Sequence, residues 1–466
     1  MSRRDLDPYR PTARRGALAA AAALGLALAP AQPMPAAAQG VNIVRDAETE
    51  ALLQDYLAPI FRAAGLRTGQ LQVFIVPSDD FNAFVTDNQH MFINVGTLVQ
   101  SDTPSEVIGV LAHETAHVAH QDNAQLRQVV QETKSMALIA TLLGVGAAVA
   151  AGASGSTSGA GAIGQGVMTA VPSIAERSLL SYRRTQEAAA DRSALDYLNA
   201  TGQSPGGLLR TMERLADQNL FVTKSVDPYL QSHPLPGDRI ATLQGLVRAS
   251  PHFAKKDSPE LQLRHDLVRA KLIGFTWTSG RVLTRYPLSD MSLPARYARA
   301  ISAYRFGPLA PAQRQIDALI AEQPNNPYFL ELKGQELLET GSPQAALDPL
   351  RKAVALAPNS GLIKILLGQA LVATSNKAVA KEAIEVLTAG LQKDPDAATG
   401  YRALARAYDM SGDIPMAQLA TAQGLFADGD IEQAKVQATR AQAKLPVGSP
   451  ARLRADDIVT YKPPKL

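Results

Sequence analysis

The feature that most restricts what this chain can become is a repeat. From about Ser292 to Pro446 the sequence returns on itself: Pro324 to Pro358 spans 34 residues, and so does Gly334 to Gly368. Pro358 to Pro395 spans 37, which places a three-residue insertion near "TSNKA". A period of 34, with small residues where helices cross and proline at the end of a unit, is the tetratricopeptide pattern. Each helix pair of that kind buries one face only against its neighbours, so the units stack into a curved α-solenoid with a concave surface. "ARYARAISAYRFGPLAPAQRQIDALIAEQ" reads as a divergent first unit and "GDIEQAKVQATRAQAKL" as a last half-unit or cap. The array is therefore expected over 291–446, with 447–466 as a C-terminal tail.

The rest of the chain must fold otherwise, and its 466 residues allow more than one domain. The formal charge of +3 is carried entirely by the first 38 residues, which hold five Arg and two Asp. What remains is balanced, so nucleic-acid binding by bulk charge is excluded. There is no cysteine. Disulfides, thiolate zinc fingers, cysteine nucleophiles and lipidated cysteine anchors are excluded with it, and any metal must be held by His and carboxylates.

The N-terminus reads as an export signal. "MSRRDLDPYRPTARR" is basic, "GALAAAAALGLALA" is apolar, and "PMPAAAQG" supplies a cleavage site that we place after Ala38. An uncleaved anchor is the alternative, and Arg14-Arg15 leaves Sec and twin-arginine export both open. The expected location is the periplasm. Residues 39–290 read as one α+β unit, mainly helical with a small sheet. A helix is expected over Arg45–Leu66, bent or ended early by Pro59. Strands are expected at Leu71–Pro77 and His90–Val99. The uncharged run Met136–Ala153, followed by a Gly/Ser segment, fits a mobile apolar hairpin near the active site or membrane surface, a membrane span, or a buried helix.

The chemistry lies in "LAHETAHVAHQD" (Leu111–Asp122). It sits in a helical segment that starts at a Pro-Ser signal and repeats Val107, Leu111 and Val118. His113, Glu114 and His117 form H-E-x-x-H. Residues four apart lie about 40° apart around a helix and one turn apart along it, so both imidazoles reach one zinc ion. Glu114 then stands beside the site as a general base for water. His120 is seven residues from His113, about 10 Å along the helix, too far to share the ion. No glycine follows to turn the chain toward a third histidine, so His120 is read as a residue outside the ligand set. A further ligand must come from elsewhere. "SYRRTQEAAADRSALDYL" places Glu187 and Asp191 four apart on one helix face. They can complete a His2Glu site and hold a ligand imidazole. On spacing alone they are equally an acidic pair beside Arg192.

"HETAH", "EAAAD" and "SHPLPGDRI", in this order after "FNAF" and "NVGTL", resemble the HtpX-type zinc metalloprotease family, which includes the CAAX prenyl proteases. With an export signal and C-terminal repeats, the chain is similar to its periplasmic, beta-barrel assembly-enhancing protease branch. The resemblance implies a gluzincin-type domain with one zinc held by His113, His117 and Glu187. It implies Glu114 as general base and Asp191 as support, with His233 and Arg239 near the metal. Two roles stay open for His233 and Arg239. A donor or cation there can stabilise the oxyanion; alternatively His233 fills the fourth zinc position at rest and blocks the water. "NAF" (Asn82–Phe84) and "NVGTL" would lie beside the cleft, where an edge strand can bind substrate backbone. His90 is read as a surface residue, and His252 and His265 carry no motif. The implied function is a zinc metalloendopeptidase in quality control of outer-membrane β-barrel proteins. Its repeats would recruit substrates or the barrel-assembly machinery, with peripheral membrane contact through 136–153. The rival is a chaperone or adaptor working through the repeats, with a latent protease site.

Overall fold

The computed structural model describes residues 43–67, 71–86, 89–131, 181–221, 233 and 237–463. The export signal and the Met136–Ala153 run lie outside the described residues. Among the described residues no helix is long and apolar enough to cross a membrane.

The first helix, α1 (Ala47–Ala63), begins where the Asp46 carboxylate accepts the Thr49 N–H, with Glu48 and Glu50 in its first turn. It does not end at Pro59. Ile60 and Phe61 lie beyond the proline and are buried with Leu52, Leu53, Tyr56 and Leu57, and that burial outweighs the one backbone bond Pro59 cannot make. Three strands follow: β1 (Gln72–Val76), β2 (Ala83–Val85) and β3 (His90–Asn94). β3 is central, parallel to β1 and antiparallel to β2.

The reading of His90–Val99 as one strand is corrected here. The strand stops at Asn94, and α2 (Val95–Gln100) takes over. The loop before β2 folds onto this point. The Asn94 amide donates to the Asp80 carbonyl. The Thr97 hydroxyl donates to the Asn82 carbonyl and accepts the Asn82 N–H. Gly96 passes so close that a Cβ would stand 2.2 Å from the Asp79 carbonyl oxygen. Tertiary contacts override the β-branched composition.

α3 (Pro104–His120) carries the H-E-x-x-H motif, with Pro104 at its start, and is buried along Pro104–Val118. A helical stretch follows at 122–131, then α4 over residues 181–200, α5 (Gly206–Phe221), α6 (Gly237–Arg248), α7 (Pro259–Thr276) and α8 (Ser279–Arg285).

The repeats form five helix pairs among the described residues. These are α9 (Leu293–Phe306) with α10 (Leu309–Glu322), α11 (Pro327–Glu339) with α12 (Pro343–Leu356), α13 (Gly361–Ala373) with α14 (Ala380–Lys393), α15 (Ala398–Ser411) with α16 (Ile414–Ala427), and α17 (Ile431–Gln442) with α18 (Pro450–Thr460). The 34-residue register has a direct physical cause. A Cβ on Gly334 would meet Leu350 Cγ at 2.3 Å, and one on Gly368 would meet Leu387 Cγ at 2.2 Å. The same glycine lets the same leucine in at these two crossings. The insertion near "TSNKA" is taken up by a 3-10 turn at Lys377–Val379. The half-unit at the end gains a partner in α18, within the stretch read as a tail, where Ala455 and Ile458 are buried.

One hydrophobic core runs across residue 290 without a break, joining Leu267, Val268 and Ile273 of α7 to Tyr297 and Ile301 of α9 and Phe329 and Leu332 of α11. A buried ionic cluster lies at this joint. Lys271 Nζ is 2.5 Å from Asp46, 3.3 Å from Glu331 and 3.6 Å from Glu48, and the Tyr297 hydroxyl donates to Glu48 at 3.0 Å. Further along, Arg45 bridges Glu50 and Asp394.

Candidate metal centre

One turn of α3 sets the first two groups. His113 Nε2 and His117 Nε2 are 3.1 Å apart, with the rings at 87° to each other. α4 brings Glu187, whose Oε2 lies 3.3 Å from His113 Nε2 and whose Oε1 lies 3.5 Å from His117 Nε2. His233 closes the group: its Nδ1 is 3.3 Å from His113 Nε2 and 3.1 Å from Glu187 Oε1. All four side chains are buried, and one ligand atom from each lies within 4.8 Å of the others. Four ligands about 2.0–2.1 Å from one ion in tetrahedral array stand about 3.3 Å from each other. The spacings of 3.1–3.5 Å fit that figure. The donor set of three imidazoles and a carboxylate suits a divalent transition metal.

Glu114 is fully buried, and neither of its oxygens makes a hydrogen bond among the described residues. Its Oε1 stands 3.3 Å from His233 Nε2. Burial raises its carboxyl to about 8. The site's other charges are set by its neighbours. Burial disfavours charge on His113, yet Asp191 and Glu187 beside it raise the imidazole to about 10. Burial would raise Glu187, but His233 and His113 hold it well below the usual carboxylate range. Burial lowers His233 to about 4, and lowers His117 as well. A cluster that draws a proton onto one of its own imidazoles is one that a cation can stabilise in that proton's place.

The outer contacts partly match the sequence reading. Asp191 Oδ1 lies 3.0 Å from His113 Nδ1, as a residue supporting a ligand would. Arg239 sits differently from an oxyanion donor. Its Nε and Nη2 donate to Asp191 at 2.6 and 2.8 Å, and its Nη1 lies 2.8 Å from Glu187 Oε2. The guanidinium thus holds the two carboxylates of α4 and, with His113, keeps Asp191 at about 2 against the opposing effect of burial. His120 stays outside the cluster, with Nε2 3.0 Å from Ser193 Oγ. His90 is half-buried against Phe74. His265 is a structural residue, buried between the Tyr56 hydroxyl and the Ser101 carbonyl.

Asp122 was missed. Its Oδ2 lies 2.6 Å from His117 Nδ1. A residue five positions on points about 140° away on a regular helix, so spacing argued against it. The helix does not continue. Gln121 adopts a left-handed conformation, φ 58°, which turns the chain and swings Asp122 back toward His117. The available signal was a polar "HQDN" run after the motif, where asparagine and aspartate favour a turn.

Residues 47–247 match the family model Peptidase family M48. The beta-barrel assembly-enhancing protease of Yersinia pestis is 24% identical over 397 residues, covering 82% of this chain and 77% of that one. A protease HtpX homolog of Syntrophobacter fumaroxidans is 33% identical over 157 residues, 31% of this chain and 52% of its own. Among solved structures, the crystal structure of MamA overlaps 34% of this chain and 90% of its own, at 22% identity and a TM-score of 0.28.

Proposed function

From the premise that residues 47–247 form a Peptidase family M48 metalloprotease domain, we propose that this chain is a periplasmic zinc endopeptidase acting on outer-membrane β-barrel proteins. The observation that carries the reading is the buried cluster of His113, His117, Glu187 and His233, one ligand atom of each within 4.8 Å of the others, with Glu114 Oε1 3.3 Å from His233 Nε2. The first three are the protein's permanent zinc ligands. When bound, zinc polarises the scissile carbonyl and acidifies a water. Glu114 accepts a proton from the attacking water. The water oxygen joins the carbonyl carbon, the carbon–nitrogen bond breaks, and Glu114 delivers the proton to the leaving amine. Asp191 holds His113, and Arg239 holds Glu187 and Asp191. The substrate class follows what the beta-barrel assembly-enhancing relatives are named for, the location follows the expected export signal, and the repeats supply a protein-binding surface.

His233 is the resting fourth ligand. Its Nδ1, 3.1 Å from Glu187 Oε1, would hold the ion in place of a reacting water, and its Nε2 stands 3.3 Å from Glu114 Oε1. The same observation favours a second reading, in which the site is mostly latent and the chain assists barrel assembly through its repeats. Glu114→Gln separates the two. Degradation of an unfolded β-barrel substrate by the purified chain should fall by about 10²–10⁴-fold, with zinc content unchanged. Degradation at the wild-type rate would end the protease reading. Loss of degradation with assembly still assisted would establish both activities.

A further inference from the structure

We infer that Asp122 is a positioning residue for the metal centre, tying the orientation of His117 to the placement of the helix that delivers Glu187. The inference rests on the metal reading above and extends it to a residue outside the ligand set. Asp122 is buried, and its two oxygens go to different elements. Oδ2 accepts the His117 Nδ1–H at 2.6 Å, and Oδ1 accepts from the Gln186 side-chain amide at 3.1 Å. Gln186 immediately precedes Glu187. Its amide also donates to the Tyr182 hydroxyl, which in turn donates to Gln125 Oε1 at 3.0 Å.

Two consequences follow from the chemistry. A carboxylate only accepts, so Nδ1 of His117 must carry the proton and Nε2 must present its lone pair to the cluster. The charge of the carboxylate also makes that imidazole a better donor to a cation. Asp191 Oδ1 likewise stands 3.0 Å from His113 Nδ1, but Asp191 belongs to the Glu187 helix and Asp122 to the chain leaving the motif helix. The two ligand imidazoles are thus steered from opposite sides of the α3–α4 junction. Both carboxylates cross that junction, Asp191 from α4 to His113 and Asp122 from the chain after α3 to Gln186, the residue beside Glu187.

The junction has a second tie, His120 Nε2 to Ser193 Oγ at 3.0 Å, and His120 Nδ1 is no closer than 3.9 Å to Asp122 Oδ2. That tie allows a positioning role to be told from general adhesion between helices. Zinc affinity of the purified full chain is measured by competition with a chromophoric chelator, and folding of the metal-free chain by far-UV circular dichroism. Asp122→Asn keeps the shape and removes the charge, and its affinity should fall about 10- to 100-fold with the metal-free fold intact. Gln186→Ala should lower affinity less, because His117 keeps its partner. Ser193→Ala should leave it unchanged. Glu187→Ala is the reference: if it binds zinc as tightly as the wild type, the ligand assignment itself fails. If Glu187→Ala loses zinc while Asp122→Asn keeps wild-type affinity, the inference about Asp122 is overturned and the ligand set stands. Equal losses in Asp122→Asn and Ser193→Ala would also overturn it, since both would then act only by holding helices together.

Discussion

Replacing Glu48 with glutamine should make this protein more stable at pH 8 and leave it nearly unchanged at pH 5. Glu48 is 5% exposed and shares the joint between α1, α7 and α11 with Asp46, Glu331 and one lysine. Three carboxylates face a single Lys271, so the cluster carries excess negative charge when all are ionised. Burial first, and then Asp46 and Glu331, raise Glu48 from 4.5 to about 7, against the pull of Lys271 and the Tyr297 hydroxyl. A carboxyl raised in the folded state binds protons more tightly there than in the unfolded chain. Its contribution is therefore fully present below pH 4.5 and is lost as pH rises through 7. The shift corresponds to about 3 kcal/mol by pH 8 and under about 1 kcal/mol at pH 5. Glutamine is neutral at every pH and can still accept from Tyr297. The chain's single tryptophan, Trp277, caps the end of α7 and reports on the joint. Urea unfolding followed by its fluorescence, at pH 5 and pH 8, measures the difference between variant and wild type, so pH effects common to both cancel. A gain of equal size at both pH values would show that packing, not ionisation, is responsible. No gain at pH 8 would refute the charge argument.

Other outcomes follow from the same reasoning. His265 is held neutral, with burial lowering it to about 4; its stabilisation is present above pH 6.5 and lost as pH falls through 4. His265→Gln should therefore gain about 3 kcal/mol over the wild type by pH 4 relative to pH 7.5, by urea unfolding. Gly334→Ala forces a Cβ against fully buried Leu350 and should cost about 1–3 kcal/mol, seen as a lower thermal midpoint. A variant as stable as the wild type would mean that α11 and α12 separate freely. His233→Ala should raise basal proteolysis of an unfolded protein if the residue blocks the water position, and a fall would assign it to the oxyanion instead.

The features legible in the residues were those set by short-range geometry. H-E-x-x-H shares one face because 3.6 residues make a turn, and the 34-residue spacing of Gly334 and Gly368 is visible because both stand where a leucine of the next helix must pass. The same logic placed His120 outside the ligand set, since rise along a helix is fixed. Glu187 and Asp191 were legible only as an alternative to an acidic pair, and family resemblance, not spacing, selected the metal role.

Where the chain turns or meets a distant segment, local rules ran out. Gln121 ends α3 in a left-handed turn and so brings Asp122 to His117, against the direction a continuing helix dictates. β3 gives way to α2 at Asn94 because the 78–82 loop closes on Gly96 and Thr97. Arg239 was expected near the metal with its role open, and in the structure it grips Asp191 and Glu187. No sequence window contains Asp46, Lys271 and Glu331, yet they make one buried cluster. By itself the sequence determined two periodicities and the half of the candidate metal site that lies on one helix turn, because backbone hydrogen bonding sets those distances wherever the segment sits. The tertiary structure alone decided that Asp122 joins His117 and that Lys271 ties the repeats to the segment before them, because burial and charge pairing between remote segments have no local signature.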